Sequence, residues 1–211
     1  MAERSPAAVA SGAIPRSVSI SIVVYRPDVP ELRETCRTLG IALRAAHDAG
    51  ALSRAVVDLV DNGDEDPATL AAVLREVGQA DWLACRVHSG GGNVGYGRGH
   101  NGPLLASDAD YHLVLNPDVE LDPDAILAAL RFLEAEPGVG LLAPHVRDAD
   151  GSQQFLCRAY PTVFLLFLRG FAPRPLRRLF RRYMERHELR DRIGDGVARD
   201  VPLISGCFMF G

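Results

Sequence analysis

Lysine is missing altogether: arginine supplies every one of the 23 basic side chains in the 211 residues. Abundant alanine and proline accompany it, which marks a coding bias and says nothing of function. The four cysteines, Cys36, Cys85, Cys157 and Cys207, lack the paired spacing of a zinc or redox motif. Structural zinc is thereby excluded, and with no secretory segment ahead of them, free thiols in a reducing cytoplasm are expected. Long apolar runs are missing too. The best candidate, VFLLFL at 163–168, falls far short of the roughly 20 residues a membrane-spanning helix needs. The first 16 residues, MAERSPAAVASGAIPR, have an early acid and only brief apolar pieces, so a disordered tail is expected over 1–16. No long repeat or low-complexity tract occurs. What remains is 47% hydrophobic and 24% charged, the balance of a soluble globular chain able to bury one substantial core.

The net charge of −4 hides an asymmetry: residues 1–159 carry −9, whereas 160–211 carry 10 arginines against 5 acids, or +5. The two parts are expected to face different partners. Strand-like and helix-like patterns alternate through the first part. VSISIVV at 18–24, AVVDLV at 55–60, WLACRVH at 82–88 and YHLVL at 111–115 read as strands, and ELRETCRTLGIALRAAH, ATLAAVLREVG and residues 123–136 as helices. Such alternation predicts a mostly parallel, three-layer α/β/α sheet with right-handed crossovers. The parallel pattern stops after 147, where two extended segments flank Asp148-Ala149-Asp150-Gly151 as a tight turn. Leu176, Leu179, Phe180, Tyr183 and Met184 then mark one face of a helix whose other face carries Arg177, Arg178, Arg181, Arg182 and Arg186. This basic amphipathic segment reads as a surface helix or as a face for anionic lipid or a lipid-linked phosphate. Residues 17–147 are thus expected to form the main α/β domain and 148–211 a smaller, incomplete portion.

Polar residues gather where strands end. Asp118, Glu120, Asp122 and Asp124 follow the fourth strand at its carboxyl end, where open α/β sheets take their ligands. One carboxylate there suits a divalent cation shared with a diphosphate. Asp122-Pro123-Asp124 reads equally as the start of the next helix. Two strings, GGGNVG from Gly90 and GRGHNG from Gly97, match the dinucleotide-binding spacing but follow the third strand. The first strand-to-helix turn, YRPDVP, has no glycine, so neither string is that fingerprint. A plain flexible loop explains the glycines but not the interleaved Asn93, Arg98, His100 and Asn101. Asp61-Asn62-Gly63 is a turn whose carboxylate can accept from a base or ribose. No histidine spacing indicates a metal cluster, and Ser205-Gly206-Cys207 is not a nucleophile elbow. A glycine-rich basic loop directly after the first strand, expected of nucleotidyltransferases, is absent.

Taken in order, SIVVYRPD, VVDNGDED, NVGYGRGHN and LVLNPDVELDPDAI resemble the motifs of family 2 glycosyltransferases, inverting enzymes of the GT-A (Rossmann-like) fold that use nucleotide-diphosphate sugars. The pair NVGYGRGHN and LNPDVELDP is most similar to bacterial rhamnosyltransferases of surface-polysaccharide assembly. The resemblance implies donor binding by Tyr25, Asp61, Asn93, Gly95, Arg98, His100, Asn101 and Asn116, and a Mg²⁺ or Mn²⁺ ion on Asp118. It implies dTDP-rhamnose as donor and a saccharide or polyprenyl-diphosphate-linked acceptor, with no nucleic acid, in the cytoplasm or peripheral to the inner membrane with a membrane-surface contact. Two departures stand out: Asn116 fills a position often acidic in the family, and His100 stands where many relatives carry arginine. The general base is expected in a Glu-Asp motif after a segment like SGCFMF, beyond Gly211, so a C-terminally truncated fold is expected; the alternative is a nucleotide-sugar-binding module without turnover.

Overall fold

The computed structural model describes residues 14–147, 151, 153, 154, 157–173, 178, 180, 183 and 201–211. Four strands, β1 (Arg16–Val24), β2 (Leu52–Asp61), β3 (Leu83–His88) and β4 (Tyr111–Leu115), are all parallel to their neighbours, and their order is β3-β2-β1-β4. Helices α1 (Val29–Asp48), α2 (Pro67–Leu74), α3 (Tyr96–Ala106) and α4 (Ala125–Ala135) fill the connections. The parallel α/β architecture read from the alternation is what forms. From 146 onward come a β5 (Val146–Arg147) and β6 (Gln153–Gln154) pair, β7 (Cys157–Arg158) paired with β8 (Leu203–Ile204), and an unanticipated helix α5 (Val163–Gly170) between β7 and β8.

The final strand corrects the expected division at 147. β9 (Phe208–Phe210) runs antiparallel to β4 and is the fifth strand of the main sheet. Its physical reason is apolar: Phe208 and Phe210 are buried in the same core as Leu113 and Leu115, the partners they meet in register. The expected tail is shortened as well, since Arg16 already pairs with Leu52; residues 1–13 lie outside the described residues. The basic segment at 176–186 lies outside them too, apart from Arg178, Phe180 and Tyr183.

The two faces of the sheet differ in chemistry. Val18, Ile20, Ile22 and Val24 of β1 join Val57, Leu59, Leu113 and Leu115 against the buried stripes of α1, α2 and α4. In α4 those are Ile126, Ala129, Leu130 and Leu133, the i, i+3, i+4, i+7 spacing of one helical face. Each large residue so buried contributes about 1.5–3 kcal/mol. The opposite face presents Ser19, Ser21, Asp58 and His112, all buried, and α3 lies over it. Helices therefore flank both faces, giving three layers.

Helix ends are set locally. Asp28 accepts from the Glu31 N–H at 3.2 Å and Asp66 from the Thr69 N–H at 3.0 Å, each followed by a proline in the first turn, as expected of N-caps. The helix expected over 68–78 narrows to a 3₁₀ turn at Arg75–Val77 and ends on Gly78, whose φ is +108°.

Candidate functional site

Four loops meet at the carboxyl ends of β1, β2, β3 and β4. At the end of β1, Tyr25 is about half exposed, and the Arg26 guanidinium lies 5.3 Å from its ring centroid. At the end of β2, Asp61 is 3% exposed, and its Oδ1 accepts from the Gly63 N–H at 2.8 Å. A methyl group on Gly63 would lie 3.2 Å from Asp61 Oδ1 and 3.8 Å from the Tyr25 ring. Tyr25 and Asp61 are therefore neighbours across one glycine, although 36 positions separate them in the sequence.

The glycine-rich loop supplies the second wall. Gly95, with φ +87°, takes the cap position of α3, and Asn93 Oδ1 accepts its N–H at 3.0 Å. That backbone is one that only glycine adopts without strain. The helix starts at Tyr96. Its buried stripe is Gly99, His100 and Pro103, whereas Arg98 and Asn101 are exposed. Gly99 fits because a Cβ there would sit 2.9 Å from a Val23 methyl and 3.4 Å from Asn62 Nδ2. Asn62, to which the sequence reading gave no role, ties the loops together. It is buried, takes the Val24 carbonyl with its N–H at 2.8 Å, and donates Nδ2 to the Gly95 carbonyl at 3.2 Å.

His100 departs from its expected place among ligand-facing groups: it lies under α3, 3% exposed. Its Nδ1 is 2.7 Å from Ser21 Oγ, which is also 2.8 Å from His112 Nε2; His112 Nδ1 is 2.6 Å from Ser19 Oγ. A hydroxyl donates one proton and a neutral imidazole one, so with both rings neutral the chain from Ser19 to His100 satisfies all three contacts in either direction. Burial, and then the neighbouring His112, bring His100 down to about 4, and burial lowers His112 as well.

The consequence for pH has a definite sign. The folded value for His100 of about 4 lies below the ordinary 6.5, so between them the unfolded chain binds the proton more readily. Stability from this group is complete above about pH 6.5 and is lost as the pH falls toward 4, by about 2 kcal/mol between pH 7 and 5. Urea unfolding at the two pH values should show that loss, and His100→Gln should flatten it. Equal pH dependence in both proteins would rule the histidine out.

The acidic turn after β4 forms the third wall. Asp118 and Glu120 are exposed, but the backbone beneath them is pinned by α1. Thr35 Oγ1 donates to the Pro117 carbonyl at 2.9 Å, and Thr38 Oγ1 accepts from the Leu121 N–H at 3.2 Å. Neither threonine was singled out from sequence. Asp124 takes the cap position of α4 without a side-chain capping bond. Among the described residues no group of three His, Cys, Asp or Glu side chains could hold a metal ion. Asp118 alone therefore fits only an ion held mostly by ligand oxygens and water.

Tyr96 links the walls. Its hydroxyl is 2.9 Å from Asn116 Oδ1 and hydrogen-bonded to the Gly206 carbonyl. One phenolic proton cannot serve two acceptors. The carbonyl receives it, and turning the Asn116 amide end for end lets its NH₂ donate to the phenol oxygen. Burial, then nearby Cys207 and Asp118, push the phenol up to about 12, which keeps that proton in place. Asn116 N–H also donates to the Cys207 carbonyl at 2.9 Å. Tyr96→Phe is expected to cost about 1 kcal/mol and to speed proteolysis within the loop at 89–95. Unchanged cleavage would mean that the phenol does not anchor the loop.

No protein-family model matches the sequence. Among solved structures, a mannosyltransferase from Pyrobaculum calidifontis, PcManGT, determined with GDP-Man and Mn²⁺, superposes with a TM-score of 0.50 at 19% identity. The alignment covers 64% of this chain and 36% of that one. Sheet order, strand-end site and this likeness define the class: the chain has the GT-A glycosyltransferase fold. In sequence it is similar to N-acetylglucosaminyl-diphospho-decaprenol L-rhamnosyltransferase of Mycobacterium tuberculosis, strains CDC 1551 and H37Rv, with 34% identity over 116 residues. The match spans half of this chain and 36% of the relatives' length. This likeness is to a rhamnosyltransferase, the kind of enzyme that the motifs resembled.

Proposed function

We propose that this chain forms the donor side of an inverting glycosyltransferase that takes a deoxysugar from dTDP-rhamnose and passes it to a saccharide carried on a polyprenyl diphosphate. The observation that carries the reading is the convergence of Tyr25, Asp61, the Gly95 cap and Asp118 on one edge of the sheet, in a chain with rhamnosyltransferase kinship. The Tyr25 ring gives a nucleobase a face to stack on. Asp61 has Oδ1 engaged by Gly63 and keeps Oδ2 for a base N–H or ribose hydroxyl. The first N–H groups of α3 and exposed Arg98 face negative charge, and Asn93, Asn101 and Asn116 supply neutral polar contacts around them.

Asp118 is the group suited to Mg²⁺ or Mn²⁺, which, when bound, offsets the charge that grows on the departing diphosphate. His100 acts from beneath, keeping α3 seated on β1. Transfer with inversion needs a carboxylate beside the acceptor hydroxyl, and none is assigned among the described residues. Among these residues no helix is long and apolar enough to cross a membrane.

Calorimetry with dTDP-rhamnose, UDP-glucose and GDP-mannose, each with Mn²⁺ or chelator, tests the donor. Preferential, metal-enhanced binding of dTDP-rhamnose supports the reading. No binding of any nucleotide sugar removes it. Binding without transfer to a polyprenyl-diphosphate saccharide would leave a donor-binding module.

A further inference from the structure

A carboxylate is buried at the root of the glycine-rich loop. Asp58 of β2 is 4% exposed on the polar face of the sheet, and taking such a group out of water is costly unless a proton donor meets it. His88, the last residue of β3, is that donor: its Nε2 lies 2.7 Å from Asp58 Oδ1. A carboxylate only accepts, so the proton sits on Nε2 and the ring tautomer is fixed. Arg86, the register partner of Asp58 on β3, stays exposed and leaves the bond to His88. Ser21, its neighbour on β1, has its hydroxyl engaged by His100 and His112.

Position gives this pair its consequence. In register His88 faces Val60, one residue before Asp61, and it reaches Asp58 diagonally along the same face of the sheet. The loop that starts here has few other supports. Residues 89–98 are exposed, Gly90, Gly92 and Gly95 have φ of +85°, +62° and +87°, and a Cβ added at Gly90, Gly91, Gly92 or Gly95 would meet nothing within 4 Å. The body of the loop stands clear of the domain, and its glycines make it costly to order. Its course is therefore set at the ends. Asn62 holds the far end through the Gly95 carbonyl, and His88 on Asp58 holds the near end. Both anchors belong to β2 and the residue that follows it, the stretch that also carries Asp61.

We propose that His88 is a positioning residue for the donor: its bond to buried Asp58 fixes where the loop at 89–95 leaves the sheet, so that Gly95 and the first N–H groups of α3 stand ready for the diphosphate. This rests on the donor-side reading. His88 acts through the loop and touches no ligand. A loop ordered beforehand spares the ligand that cost, so the clamp shows as affinity.

Calorimetry with dTDP-rhamnose, in Mn²⁺ and in chelator, is paired with timed proteolysis within 89–95. His88→Ala should weaken binding roughly tenfold in both media, the effect of losing one hydrogen bond to a charged group, keep the increment due to Mn²⁺, and speed cleavage of the loop. His88→Gln, whose amide NH₂ can still donate to Asp58, should recover most of the affinity and of the protection. Asp58→Asn with His88→Ala removes the unpaired charge along with the bond. That double variant keeps the fold measurable if His88→Ala alone does not, and should show the same loose loop and weakened binding.

Full-strength binding by folded His88→Ala or by the double variant overturns the proposal alone. So does a loss confined to the Mn²⁺ increment, or a His88→Gln protein that binds no better than His88→Ala. Absence of nucleotide binding by the wild-type chain overturns it together with the donor-side reading.

Discussion

Asp118→Asn is expected to remove most of the affinity for a nucleotide diphosphate that Mn²⁺ confers, about 10- to 100-fold, and to leave affinity in chelator nearly unchanged. The asymmetry follows from where the carboxylate stands. Asp118 is exposed on a turn that Thr35 and Thr38 hold through backbone groups of Pro117 and Leu121. The turn does not depend on the Asp118 side chain, and the amide keeps its size. The loss is therefore a loss of charge, not of fold. Asp122→Asn is the control: that residue leads into α4 and should change the metal increment little. Calorimetric titration in Mn²⁺ and in chelator measures both. An undiminished increment in Asp118→Asn would remove Asp118 as the ligand.

Gly40→Ala is expected to destabilise the fold by about 1–3 kcal/mol, or more if α1 cannot shift. Propensity alone says the opposite, because alanine in a helix interior gains about 1 kcal/mol over glycine. Sterics decide. An added Cβ at Gly40 would lie 2.1 Å from the Val77 carbonyl oxygen and 2.9 Å from Val77 Cα. Both are backbone atoms, so no rotamer change relieves the clash; α1 and the 3₁₀ turn must separate. That gap would open beside Cys36, Leu39 and Leu43, which are fully buried. A lower urea midpoint at unchanged m-value is the expected reading. A higher midpoint would mean that the helix moves at little cost.

The strands were legible because β-branched runs such as VSISIVV and AVVDLV stand between turn residues, and the helices because their apolar periods are long. Asp61 and Asp118 could be named as candidates because each follows a recognisable strand, and Tyr25 because SIVVYRPD resembles a family motif. Asn62, Tyr96, Thr35 and Thr38 could not. Their roles depend on partners far away in sequence, and a threonine within α1 looks like any helical threonine. His100 misled for a related reason: α3 is short and glycine-rich, so its apolar period does not reveal which side turns inward. The last strand was hidden because an antiparallel return to the edge of a parallel sheet leaves no local sign; only FMF hints at a core partner.

Tyr96 also sets a schedule for the site. It is held by Gly206, 110 residues further along the chain. At about 5–20 residues per second, a ribosome takes roughly 5 to 20 s to cover that interval. Through all of it the glycine-rich loop has emerged without its anchor, and β4 without the neighbour that covers its outer edge. The nascent donor site is thus a client for protection during synthesis, and a pause within 116–206 would prolong the period in which β4 offers an unpaired edge to another copy.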